Sequence, residues 1–252
     1  MNVKIVNLNT WKGGNLLNKM LLFLKKEKPD ILTLQEIYRG LKNNSNPKYK
    51  SLEIIQKTTG LKYLYFSAAY TTLKPDGKVE HGNAILSRWP IVHSKTIFYD
   101  IQYTENFTEP EKDFSTCPRT LQYIEILANG TKLNIFNTHG IWFPNNKDNK
   151  RRLNMGKIIV NEINGKQRVV LTGDFNVDRN TATMKYIQKE LVDVFDGKLQ
   201  TSFNMKQKFN PVLSNLVIDG IYVTPNIKVL KATCPNVNVS DHLPLITILE
   251  VK

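Results

Sequence analysis

Six short polar segments, each at the end of an apolar run, constrain this chain more than any other feature. They are Asn7-Leu8-Asn9-Thr10-Trp11, Leu34-Gln35-Glu36, Asn137-Thr138-His139, Gly173-Asp174-Phe175-Asn176, Ile218-Asp219-Gly220 and Ser240-Asp241-His242. Each falls where a strand runs out into a loop, the place where α/β folds carry their chemistry. The segments supply carboxylates, amides and imidazoles, with no Ser or Cys beside an obvious base. That inventory suits a hard cation such as Mg²⁺ and the hydrolysis of a phosphate ester. Because the segments extend from residue 9 to residue 242, one site would draw on the whole length, and a single domain over 1–252 is expected.

The runs between them have readable periods. Val3 to Asn9 alternates like a half-buried strand; Leu16, Leu17, Met20, Leu21 and Leu24 follow at helical spacing until Pro29. Ile31–Leu34 reads as a buried strand, 52–59 as a helix ending at Gly60, and strands are expected at 63–68, 83–87 and 92–98. Residues 99–118 form a long aromatic and acidic excursion: a lid, a partner surface, or neither. Thr120–Leu127 and Lys132–Asn137 make a hairpin about Asn129-Gly130, and Leu153–Ile163 is helical. Strands at 168–172, 217–223, 229–233 and 245–251 complete a strand-rich second half, with coil over 197–214. A dozen strands tend to split into two stacked sheets, so a two-sheet sandwich flanked by helices is expected.

The bulk composition narrows the partner. A formal charge of +13 favours an anionic partner, although a solvated lysine surface has the same charge. Cys117 and Cys234 are too few for a disulfide scaffold or a thiolate zinc site. No apolar run is long enough to span a membrane, and no signal-peptide pattern opens the chain, so a cytoplasmic monomer is expected.

Taken singly, each candidate has a structural alternative. Glu36 ends a strand at a sheet edge, fit for a metal or for a following turn. Asp174 and Asn176, two apart, point the same way in extended backbone, fit for water and phosphate or for an Asx-turn. Asp219 could orient the imidazole of His242.

In order and spacing, however, the set Asn9, Gln35-Glu36, Asn137-Thr138-His139, Gly173-Asp174-Phe175-Asn176, Ile218-Asp219 and Ser240-Asp241-His242 resembles the endonuclease/exonuclease/phosphatase superfamily, the DNase I-like metal-dependent hydrolases. Gly82 to Ile91, Pro118-Arg119 and Thr201-Ser202-Phe203 are secondary matches. The resemblance implies a four-layer α/β sandwich, two mixed β-sheets packed face to face with helices on the outer faces. It implies Glu36 as the main Mg²⁺ ligand, with Asn9 and Asp241 completing the metal side directly or through water, and Mn²⁺ as a substitute. Asp174 would activate water, Asn176 and His139 would hold phosphate oxygens, and His242 backed by Asp219 would stabilise transition-state charge. Glu80 is a candidate carboxylate behind His139.

Arg119 is either a phosphate contact or a buried structural pair, and Trp142 either stacks on a base or packs its loop. Phe203 lies in an aromatic and basic stretch suited to nucleic acid. Ile37-Tyr38 after Glu36 departs from the abasic-site endonucleases, and Val177-Asp178 after Asn176 departs from the inositol-polyphosphate phosphatases. The expectation is a Mg²⁺-dependent phosphodiesterase, a nuclease on DNA or RNA. The alternatives are a hydrolase of a small phosphoester or phospholipid headgroup, and a non-catalytic polyanion-binding module.

Overall fold

The computed structural model describes residues 1–41 and 44–252. Twelve strands among the described residues form two six-stranded sheets. The first runs β11 (Lys228–Thr233), β12 (Leu245–Glu250), β1 (Asn2–Asn9), β2 (Ile31–Gly40), β4 (Gly77–Ser87), β3 (Tyr63–Lys74). The second runs β5 (Ile91–Phe98), β6 (Thr120–Ala128), β7 (Thr131–His139), β8 (Val169–Asp174), β10 (Asp219–Val223), β9 (Val192–Asp193). Each sheet has one parallel pair at its centre, β1–β2 and β7–β8, and antiparallel strands outside it.

Side-chain alternation explains the layering. Val3 and Ile5 of β1, Leu133 and Ile135 of β7, Val170 of β8, and Ile221 and Val223 of β10 share the core between the sheets. The intervening Val6 and Leu8 face outward onto α2 (Leu17–Glu27) and α3 (Ser51–Thr59), burying Met20, Leu24, Leu52 and Ile55. On the other side Phe136, Val169 and Leu171 pack against Met155, Ile159 and Ile163 of α4 (Lys150–Ile163) and Met184 and Ile187 of α5 (Ala182–Ile187). The four-layer sandwich expected from the sequence is the fold observed.

The inner rows change character along their length. Val3 and Ile5 continue as Asn7 and Asn9; Leu133 and Ile135 as Asn137 and His139; Val170 as Thr172 and Asp174. Where polar side chains first meet between the sheets they bond to one another. Gln35 Nε2 donates to Asn7 Oδ1 (2.9 Å) and Asn137 Oδ1 (2.6 Å), and Asn137 Nδ2 donates to Gln122 Oε1 (2.9 Å) and Leu34 O (3.0 Å). These buried amides bond to one another across the two sheets, leaving only Asn7 Nδ2 and Gln35 Oε1 without a partner among the described residues, and form a floor beneath the strand ends.

Several boundaries differ from the sequence reading for local reasons. β3 and β4 are longer than expected because they form one hairpin, paired down to Lys74 opposite Gly77. Val217 and Ile218 precede β10: Ile218 N bonds to Ser202 Oγ (3.1 Å) and Ile218 O receives Phe175 N (2.8 Å), outside the ladder. The coil over 197–214 contains a single 3-10 turn, Pro211–Asn215. The excursion is fastened to β3, with Thr104 N on Ala69 O (3.4 Å) and Phe107 N on Thr71 O (2.7 Å). No helix among the described residues is long and apolar enough to cross a membrane.

Candidate active site

The polar ends of the inner rows meet in one cleft of about 410 Å³. In the second sheet His139 lies opposite Asp174, and Asp174 opposite Asp219, so three candidates form one row across three strands. In the first sheet Asn9 lies opposite Gln35 at the same end.

Glu36 reaches this cleft only because β2 is irregular. Simple alternation would send its side chain outward with Leu32 and Leu34. The register with β4 shifts between Leu34 and Ile37, and Glu36 adopts φ 57°, a bulge that turns the carboxylate inward. Trp11, Lys12 and Asn176, also at the cleft, have positive φ values of 60°, 51° and 56°. Left-handed backbone costs about 1 kcal/mol or more at a non-glycine residue, so its concentration here marks a site that the surrounding structure over-determines. The turn at α1 (Trp11–Gly14) uses the strain: Trp11 N donates to Asn9 Oδ1 (3.0 Å) and Lys12 N to Glu36 Oε2 (2.7 Å).

Asp174 is the hub. Its Oδ2 accepts from Asn9 Nδ2 (3.0 Å) and lies 3.6 Å from His139 Nε2 and 4.0 Å from His242 Nε2; its Oδ1 accepts from Asn176 N (2.9 Å). Asn9 Nδ2 also reaches Glu36 Oε1 (3.2 Å), which is 4.0 Å from His139 Nε2. His242 Nδ1 donates to Asp219 Oδ2 at 2.8 Å. Burial and the neighbouring Asp219 push the Asp174 carboxyl above the usual carboxylate range. For His242, burial works against the charge, but Asp219, with Asp241 and Asp174, outweighs it and moves the imidazole up to about 10. His242 is therefore a cation at neutral pH. His139 is driven the other way, by burial and by Arg119, and is neutral.

The remaining candidates also converge. Arg119 packs its guanidinium on the His139 ring, Nη1 lying 2.6 Å from Nδ1 and 2.9 Å from Nε2, a buried pairing, and it lines the cleft as well. Asp241 pairs with Lys208 at 2.7 Å, and Ser240 Oγ ties its loop to Asn9 O at 2.7 Å. Asn176 Nδ2 donates to Gly140 O at 3.0 Å while its side chain lines the cleft. Phe203 tilts against the His242 ring at 5.1 Å, and Trp142 meets Phe114 of the excursion edge-on at 5.5 Å; both line the cleft. Glu80 is the exception. It pairs with Arg39 on the outer face of the hairpin, because alternation along β4 gives the inward position to His81.

Three groups at the site were given no role in it by the sequence reading. Arg152, fully buried on α4, donates to Ile141 O (3.0 Å), Asn145 O (2.6 Å) and Asn176 O (2.5 Å), clamping the loops after His139 and Asp174. An arginine in a helix pattern reads as solvated, so no local signal marks it. His81 and Glu109 both line the cleft, and Glu109 comes from an excursion whose path the sequence leaves open.

Glu36, Asp174 and Asp241 bring carboxylate oxygens to the cleft with no thiolate among them, a chemistry that suits a hard divalent cation, while Asn9 turns its Nδ2 to Glu36 and Asp174. Asp174, Asp219 and His242 also lie close enough, with ligand atoms within 4.8 Å of one another, to hold a metal. His242, bonded to Asp219 and positively charged, is a poor metal ligand in that state.

Residues 6–242 match the model of the endonuclease/exonuclease/phosphatase family. The chain belongs to that family. Among curated proteins no sequence matches. An endonuclease/exonuclease/phosphatase of Beutenbergia cavernae superposes with a TM-score of 0.77 at 15% identity, over 99% of this chain and 72% of that one. The mannosyl-6-phosphatase Bt3783 of Bacteroides thetaiotaomicron gives 0.70 at 16%, over 99% and 100%. D. rerio TDP2, complexed with a single-strand DNA product, gives 0.70 at 16%, over 99% of each chain. At these identities the likeness establishes the DNase I-like fold. Family membership and fold together point to a phosphoester hydrolase.

Proposed function

We propose that this chain is a single-domain Mg²⁺-dependent phosphodiesterase acting on nucleic acid. The observation that carries the reading is the convergence of Glu36, His139, Asp174 and His242, from both sheets, on one cleft, each within 4.0 Å of another of the four. Glu36, Asn9 and Asp241 would hold the cation, which supplies charge neutralisation at the phosphate oxygens.

The chain's own groups perform the rest. Asp174, ionised and fixed by Asn9 and the Asn176 amide, orients the attacking water and takes its proton. His242, kept cationic by Asp219, donates through Nε2 to the charge developing on the phosphoryl oxygens. His139 and Asn176 hold the non-reacting oxygens, and Arg119 adds positive charge behind His139. Trp142 and Phe203 offer faces on which bases can stack, and Lys12 and Lys208 line the same cleft. The net charge of +13 supports a polyanion.

The test is hydrolysis of plasmid DNA, single-stranded DNA, RNA, a sugar phosphate, sphingomyelin and bis-p-nitrophenyl phosphate, with and without Mg²⁺ or Mn²⁺, by wild type and Asp174→Asn. Metal-dependent polymer cleavage that disappears in the variant supports the reading. Turnover of the small esters or the lipid alone moves the substrate to that class. Polymer binding with no turnover of anything refutes the enzyme.

A further inference from the structure

One end of the cleft has a different chemistry from its reacting centre. Beside Glu36 the wall is made by Tyr70, His81 and Glu109. Glu109 is held on three sides, by Tyr70 of the same wall and by Tyr38 and Lys74. Its Oε1 accepts from Tyr38 OH (3.3 Å) and from Tyr70 OH (3.1 Å), and its Oε2 pairs with Lys74. His81 stacks on Tyr70 (centroids 4.7 Å apart, 21° between planes) and meets Tyr38 edge-on at 5.2 Å. It is only 5% exposed, and its Nδ1 has no hydrogen-bond partner. A carboxylate so anchored cannot swing away, and a buried polar nitrogen without a partner is costly unless a ligand or water meets it.

We propose that Glu109 and His81 form a subsite that reads a sugar hydroxyl next to the scissile phosphate. A fixed carboxylate only accepts hydrogen bonds, so it repels a second phosphate and selects a neutral donor. A neutral imidazole beside it can complement the same hydroxyl in either direction. Tyr70 supplies a flat surface for the sugar ring. Hydroxyls of this kind occur on the ribose of RNA and on free sugar phosphates, whereas deoxyribose lacks the 2′ group. Glu109 reaches the site on the excursion, so the 99–118 segment would serve as a specificity wall. The proposal rests on the phosphoester reading for the placement of the phosphate.

The experiment measures binding in an Asp174→Asn background, so that no ligand is consumed. Dissociation constants are compared for a ribo-tetranucleotide against its deoxy counterpart, and for glucose 6-phosphate against phenyl phosphate. With Glu109 present, the hydroxylated member of at least one pair should bind about tenfold tighter, the scale of a hydrogen bond to a charged acceptor. Adding Glu109→Ala, which removes the acceptor, should abolish that preference. A preference in the first pair identifies the ribose of a polymer as the source, and one in the second a free sugar phosphate. Equal binding within both pairs by the chain that keeps Glu109 overturns the proposal without any further variant. A preference that survives Glu109→Ala overturns it as well. Because the readout is binding, a failure of the hydrolase reading shows separately, as absence of turnover by wild type.

Discussion

Replacing Asp219 by Asn tests the electrostatic core of the site with little change of shape. Asp219 is 2% exposed and lies 2.8 Å from His242 Nδ1; the amide oxygen of Asn can still accept that N–H, so the ring orientation survives. What is lost is the charge. Burial alone would lower the proton affinity of His242, and Asp219 is the largest influence raising it, to about 10 from 6.5. At about 1.4 kcal/mol per tenfold change in proton affinity, that displacement is on the order of 5 kcal/mol. Without it the imidazole is neutral at pH 7.5 and no longer presents a positive donor at Nε2. Loss of one such preorganised donor costs about 10²–10³-fold in rate.

The same substitution removes a negative neighbour from Asp174, whose carboxyl Asp219 helps to hold high. The assay is kcat/KM against pH with saturating Mg²⁺. In wild type the rate rises as Asp174 ionises, above the usual carboxylate range, and falls as His242 loses its proton near pH 10. In Asp219→Asn the alkaline limb moves down to near neutrality and the acid limb also moves down. A variant whose alkaline limb stays in place, or whose neutral-pH rate falls less than about tenfold, refutes the assignment of charge to His242.

Glu36→Gln should weaken metal binding by about tenfold or more, read by isothermal titration with Mn²⁺, while leaving the thermal midpoint close to wild type because Glu36 is partly exposed. Gly173→Ala should destabilise the fold by more than about 1 kcal/mol in urea: its φ is 150°, and a Cβ there would stand 2.2 Å from Thr138 O. His81 is buried and neutral. Burial lowers its proton affinity, so that it titrates near 4 in the folded chain against 6.5 in the ordinary state. Between those values the unfolded chain binds the extra proton, so stability falls as the pH drops from 6.5 to 4, by about 3 kcal/mol from this residue. Urea melts across that range should show the decline, and His81→Gln should make it shallower.

The amino-acid sequence by itself determined the strand rows and what ends them. Alternation is a local property: Val3, Ile5, Asn7 and Asn9 share a face whatever surrounds them, and the same holds for Leu133 to His139. The passage from apolar to polar along such a row places the chemistry at a strand end. The order of those ends along the chain was enough for the family and for Asn9, His139, Asp174 and Asp241 to be foreseen in one place. Glu36 lines the same cleft, yet its inward aim depends on a bulge that exists only in the pairing of β2 with β4.

Tertiary structure alone decided the partners and the charge states. Glu80 and His81 are adjacent in sequence, and only the facing strands settle that His81 turns toward the cleft while Glu80 meets Arg39. Burial, with Arg119 packed on its ring, keeps the His139 imidazole neutral, whereas Asp219 makes the imidazole of His242 a cation. Two histidines of the same chain thus hold different charge states, one neutral and one cationic. The reason is that proton affinity depends on burial and on charges a few ångströms away, and here those charges come from residues 20 and 23 positions distant in the chain.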